Sequence, residues 1–188
     1  MAPKLSGNHK SLIKIMWQNK INSKSELRLW LTNRSSLSKR VKNIARFQVI
    51  QIRPVIINFL KIEKDKFRNF RKGQLYLREV MLYADGLPIM YARTVTPKIN
   101  LRGFWNGIKR LQDNPLSDII FEQKVIKRSP FIYSRFSKND DISKSVRNSG
   151  HNDSNILVSR QSMFNYNNKS VLLTEVFFKN FEHLRFIK

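Results

Sequence analysis

Two arginines and one glutamate stand among apolar neighbours in segments that read as β-strands: Arg78 in YLREVMLYA, Arg93 in LPIMYARTVTP and Glu175 in KSVLLTEVFF. A guanidinium stays charged at any working pH, so burying it without an anion is costly. If Asp85-Gly86 makes a two-residue hairpin turn, counting outward pairs Ala84 with Leu87, Leu82 with Ile89, Val80 with Tyr91 and Arg78 with Arg93. Alternation then puts both arginines on one apolar face, with Tyr76, Val80, Leu82, Ile89, Tyr91 and Val95. Like charges directly opposite repel. Glu175 alternates with Val171, Leu173 and Phe177 and also points to an apolar face, but one carboxylate balances one arginine. Two readings stay open on these residues. One is a structural ion pair, with Glu175 on one arginine and the other arginine at the sheet rim. The other is a buried pocket for an anionic small molecule, with Glu175 as acid, base or hydroxyl acceptor.

The elements that must hold these side chains are short. SELRLWLT carries Leu27, Trp30 and Leu31 at helical spacing, and SSLSK around Leu37 reads as a polar break. RFQVIQIRPVIINFL is extended, with Pro54 marking a bulge or an edge, and residues 63–73 read as a charged connector. Beyond the hairpin, Leu101, Trp105, Ile108 and Leu111 share one helical face. Asn114 before Pro115 reads as the N-cap of a short helix, PLSDIIF. KVIKRSPFIYSRF predicts a strand pair or one strand broken at Pro130, and residues 137–155 a mobile polar loop. ILVSRQSMFNY and KSVLLTEVFF predict a second hairpin, turned at Asn167-Asn168. Hairpins with a few short helices make an antiparallel α+β domain.

The bulk composition sets limits. A chain of 188 residues that is 41% hydrophobic can bury one core, expected over residues 26–188 behind a poorly ordered polar extension, residues 1–25. The absence of cysteine excludes disulfides, thiolate metal sites and cysteine nucleophiles. The opening residues do not read as a signal peptide, and no apolar run reaches the length of a membrane span. A net charge of +23 invites a nucleic-acid partner, but it is spread along the chain without an aromatic-basic RNA motif, so none is expected. Abundant Lys, Asn, Ile and Phe, with only six Gly and six Pro, are what coding drift produces in an A/T-rich genome such as an organelle's. His9, His151 and His183 fall in terminal or loop segments and read as solvated rather than catalytic.

Four of these segments resemble the chorismate pyruvate-lyase family, in order and approximate spacing over residues 27–178. YLREVMLYADGLPIMYARTVTP resembles its core strand pair, NPLSDIIF its Pro-Leu-Gly helix, KSVLLTEVFF its final strand and SSLSKR its Ser-Met-Thr segment. The likeness is to plastid-encoded members in particular, which implies a plastid location. The resemblance implies a lyase that converts chorismate to 4-hydroxybenzoate and pyruvate for quinone biosynthesis, without cofactor or metal. It implies a sheet of about six strands with helical flaps over an internal site, chorismate as the partner and a monomer as the favoured state. By motif position it makes Arg78 and Glu175 the catalytic pair, Arg78 on the ring carboxylate and Glu175 on the ring hydroxyl. It gives the enolpyruvyl carboxylate to Arg93, backbone contacts to Leu37 and Leu116, and a supporting role to Arg160. Leu37 stands where the best-known members carry Met, and SRQS around Arg160 replaces a more basic Arg-Arg-Ser. The same fold also serves as the effector domain of bacterial regulators, so a non-catalytic ligand-binding domain is the alternative.

Overall fold

The computed structural model describes residues 17–21, 26–52, 59–121, 125–135, 140–152 and 156–185. Its strands are β1 (Phe47–Ile52), β2 (Leu75–Ala84), β3 (Leu87–Pro97), β4 (Lys127–Arg128), β5 (Ile132–Ser134), β6 (Ile156–Tyr166) and β7 (Lys169–Phe178). They form one antiparallel sheet in the order β1-β2-β3-β7-β6-β4, with β5 also on β6. β4 and β5 are the two halves of the strand broken at Pro130, so seven strands fill six positions of an α+β fold. Both hairpin turns have left-handed backbone at both central residues, with φ of 50° and 80° at Asp85 and Gly86 and 48° and 58° at Asn167 and Asn168. That is the geometry that matches strand twist, and Asn, Asp and Gly are the residues that accept it.

The register of the first hairpin departs from the count made from its turn. Ala84 faces Leu87 and Tyr83 faces Pro88, but Leu82 then faces Met90, so Ile89 is an extra residue in a bulge. Pro88 has no N–H to give the ladder, and a bulge is where a strand tolerates that. Because side chains alternate, one added residue exchanges the faces of the rest of β3. Arg78 therefore faces Thr94, and Arg93 faces Glu79. The two arginines lie on opposite faces of the sheet.

The helices are α1 (Glu26–Thr32), α2 (Leu37–Lys42), α3 (Lys61–Lys66), α4 (Ser117–Ile120) and α5 (Asp141–Asn148). α1 buries Leu27, Trp30 and Leu31, as their spacing predicts. The expected polar break at Leu37 is instead α2, capped by the Ser36 side chain accepting from Lys39 N at 3.2 Å and burying Leu37, Ser38 and Val41. The expected connector at 63–73 begins inside α3, which buries Glu63 completely. Residues 103–110 are 3₁₀ rather than α, yet Leu101, Trp105, Ile108 and Leu111 are all buried. Leu116, not Asn114, occupies the N-cap position of α4, and Asn114 donates to Leu111 O at 3.0 Å instead. The segment 137–155, expected as a loop, holds α5, with Ile142, Ser143 and Val146 buried. Of the extension 1–25, Gln18 bridges Tyr133 of β5 through two 2.8 Å backbone hydrogen bonds. Pro54, expected at a bulge or an edge, and residues 1–16 and 22–25 of the extension lie outside the described residues.

Apolar side chains cover both faces. On one, Val80, Leu82, Ile89 and Phe177 pack with Leu31, Val41, Trp105 and Ile108 from the helical segments. On the other, Met81, Tyr91, Val176 and Phe178 pack against Ile142 and Val146 of α5, with a neighbouring cluster of Phe59, Phe67, Val95 and Leu172. Among the described residues no helix is long and apolar enough to cross a membrane.

Candidate active site

The first face carries Arg78, Val80 and Leu82 from β2, Ala92 and Thr94 from β3, Leu173 and Glu175 from β7, and Arg160 from β6. They line a cavity of about 540 Å³, counted with the solvent at its mouth. Leu37 of α2 and Leu116 before α4 also line it, with Ser35, Ser117 and Phe121. Its walls are mostly apolar, and its charge is concentrated in four side chains.

Arg160 and Glu175 face each other across β6 and β7. Arg160 grips the carboxylate with both edges of its fork, Nε to Oε2 at 2.6 Å and Nη2 to Oε1 at 2.9 Å. Its Nη1 donates to Trp30 O and Leu31 O, both at 2.9 Å, so it also ties α1 to the sheet. Burial alone pushes the Glu175 carboxyl up, but Arg160 and then Arg128 outweigh it and hold it below the usual carboxylate range. Arg128 of β4 approaches the same carboxylate, with Nη2 at 3.5 Å from Oε2.

Arg78 stands at another part of the cavity wall, 3% exposed. Its Nη2 donates to the carbonyls of Gln112 and Asn114 at 2.8 and 2.6 Å, which fixes the connection leading to α4. Its Nε is buried and without a hydrogen-bond partner among the described residues. Desolvation lowers its pKa, and Tyr76 and Asp113 oppose that only in part. A buried donor of this kind is costly unless something accepts from it.

Arg78, Glu175, Leu37, Leu116 and Arg160 thus line one cavity. Arg93 does not. It is 1% exposed on the opposite face, where Glu63 of α3 receives its Nε at 2.8 Å and its Nη2 at 3.0 Å. Glu79 takes its Nη1, which also reaches Tyr91 Oη and Ser145 Oγ at 3.1 Å, and Tyr91 donates to Glu79 as well. Sequence reasoning missed Arg128 and Glu63. Arg128 sits in a two-residue strand, too short to reveal a face, and Glu63 lies in a run of charges that looks solvated. His151 bonds Tyr83 Oη at 2.9 Å and His183 is exposed, neither lining the cavity, and His9 lies outside the described residues.

The model of the chorismate lyase family matches residues 11–185 of this chain. The protein belongs to that family. A relative from Thiobacillus denitrificans, named "Probable chorismate pyruvate-lyase", is 30% identical over 152 residues, covering 80% of this chain and 81% of that protein. Relatives of the same name from Nitrosomonas europaea and Nitrosospira multiformis are 26% and 30% identical, over 84% and 79% of this chain and 89% and 83% of theirs. Among solved structures, a GntR-family transcriptional regulator from Bacillus cereus aligns over 76% of this chain and 96% of its own. That match has 13% identity and a TM-score of 0.47.

Proposed function

We propose that the protein is a chorismate lyase, releasing 4-hydroxybenzoate and pyruvate from chorismate. Beyond family membership, one observation carries this reading. Three guanidinium groups, Arg78, Arg128 and Arg160, and one carboxylate, Glu175, line the cavity, an excess of two positive charges. Chorismate brings two carboxylates, and a dianion of that kind offsets the excess.

In the proposed pose, Arg78 Nε donates to the ring carboxylate, and Glu175 accepts from the ring hydroxyl. Val80, Leu82, Ala92 and Leu173 supply apolar contacts for the ring between them. In the reaction the C3–O ether bond breaks and its electron pair leaves on oxygen. Hydrogen departs from C4 as a proton, and the C–H pair becomes the double bond that completes the aromatic ring. The enolpyruvate takes up a proton at its methylene carbon and becomes pyruvate. The protein's part is to hold the arm in a reactive pose and to keep cations beside the oxygen that gains charge.

The direct test is chromatography of purified protein incubated with chorismate and a metal chelator. Equimolar 4-hydroxybenzoate and pyruvate are expected. Chorismate that binds and stays intact would leave a ligand-sensing domain in place of an enzyme. Arg78→Met is expected to weaken 4-hydroxybenzoate by about a hundredfold, since it removes a buried charged donor. Its melting temperature should also fall, because Gln112 O and Asn114 O lose their donor, so binding is measured well below it. Unaltered binding by that variant would remove Arg78 from the site.

We also propose that the product enters quinone biosynthesis and that the protein works in a plastid. Support for the compartment is compositional, the Lys, Asn, Ile and Phe excess of an A/T-rich organelle genome. Import of isolated plastids' own translation products into a mass-spectrometric survey tests it.

A further inference from the structure

We propose that Arg128 binds the second carboxylate of the substrate, the one on the enolpyruvyl arm. The assignment rests on the chorismate reading above and on how the donors of the cavity are already engaged. Arg160 has both edges of its fork on Glu175 and its Nη1 on two backbone carbonyls. Arg78 belongs to the ring carboxylate in that reading. Arg93 lies on the other face, held by Glu63 and Glu79. Arg128 remains. Its Nε donates to Ser162 Oγ at 3.0 Å and its Nη1 to Arg34 O at 3.3 Å, but its Nη2 comes no closer than 3.5 Å to Glu175.

Connectivity in the ligand points to the same residue. The arm leaves the ring at C3, next to the C4 hydroxyl. A hydroxyl held by Glu175 therefore brings the arm out beside Glu175, where Arg128 also lies. The guanidinium is oriented for this before ligand arrives. Its carbon lies 4.1 Å from the Phe131 ring centroid and 4.8 Å from that of Phe164. Stacking on these rings limits its freedom and directs its donors sideways, the geometry in which guanidinium and carboxylate pair. Arg128 also carries an unbalanced burden. Desolvation, with Arg160 and Arg34 nearby and Glu175 only partly compensating, brings its pKa down to about 10. A second carboxylate at this corner would relieve that.

The experiment compares a dianion with a monoanion. Chorismate kinetics and 4-hydroxybenzoate affinity by calorimetry are measured for wild type, Arg128→Gln and Arg128→Lys. Arg128→Gln is expected to raise KM for chorismate about tenfold or more, the loss of a charged hydrogen bond. Its affinity for 4-hydroxybenzoate, which lacks the arm, should stay within about twofold. Arg128→Lys keeps the charge without the fork and should fall between, which covers the case of a Gln variant that fails to fold. Equal weakening of both ligands would mean that Arg128 only supports Glu175, and no change in either would remove it from the site. Both outcomes overturn the assignment while leaving an active wild type, and hence the lyase reading, intact. Wild type that binds 4-hydroxybenzoate yet ignores chorismate overturns the lyase reading and this assignment together.

Discussion

Glu175→Gln should lower kcat on chorismate by about 10²–10⁴-fold, the range for a positioned acid–base group. The amide keeps the shape of the side chain but loses its charge and places an N–H₂ against donors of Arg160. Stability should fall too. Among the described residues Glu175 is the sole carboxylate lining the cavity, gripped by Arg160 and approached by Arg128. Breaking a buried pair by removing one partner costs about 3–5 kcal/mol, and the remaining amide oxygen puts this case toward the lower end. Activity must therefore be read well below the variant's melting temperature, with folding checked by circular dichroism. Near-normal kcat in folded protein would reduce Glu175 to the counterion of Arg160. The pH dependence follows from the sign of the shift. The folded carboxyl lies below its ordinary value of 4.5, so its stabilising contribution is complete above that pH and is lost as acid titrates through the folded value. Wild type and Glu175→Gln should converge in stability as pH falls below 4.5.

Arg93→Met should do the opposite kind of damage. It leaves Glu63 and Glu79, both buried, without the guanidinium that joins them. The expected loss is about 3–5 kcal/mol in denaturant unfolding. Glu63 makes the loss spread, since its Oε2 also accepts from Leu60 N at 2.7 Å and so starts α3. The affinity of the folded variant for 4-hydroxybenzoate should be nearly unchanged, because the sheet stands between Arg93 and the cavity. A stable Arg93→Met protein that had lost chorismate binding would return Arg93 to the arm carboxylate and refute the bulged register.

What could be read from the sequence was what depends on neighbours along the chain. Asp85-Gly86 and Asn167-Asn168 announce their turns because few residues accept left-handed backbone. Leu27, Trp30 and Leu31, and Trp105 with Ile108, announce buried faces by spacing. Motif resemblance then brought Arg78, Glu175, Leu37, Leu116 and Arg160 to what the fold makes one cavity. The failures share a cause, since each depends on a partner far away in sequence. The bulge at Ile89 reflects pairing that resumes at Met90, where β3 meets both β2 and Phe177 of β7. α5 is polar except for Ile142 and Val146, and only the sheet behind it makes those two a face. Glu63 and Arg128 gain meaning only from Arg93 and Glu175.

The bulge has an evolutionary corollary. Ile89 is the residue that separates the chemistry of one face from the ion pairs of the other, because it sets the parity of everything after it in β3. Losing one codon there would turn Tyr91 and Arg93 toward the cavity and carry Ala92 and Thr94 to the far side. Substitutions alter one side chain at a time, and apolar exchanges of similar volume are usually tolerated. An indel exchanges two environments at once, stranding two carboxylates and crowding a guanidinium into a site already rich in them. Coding drift can therefore rewrite the letters of this hairpin far more easily than its length.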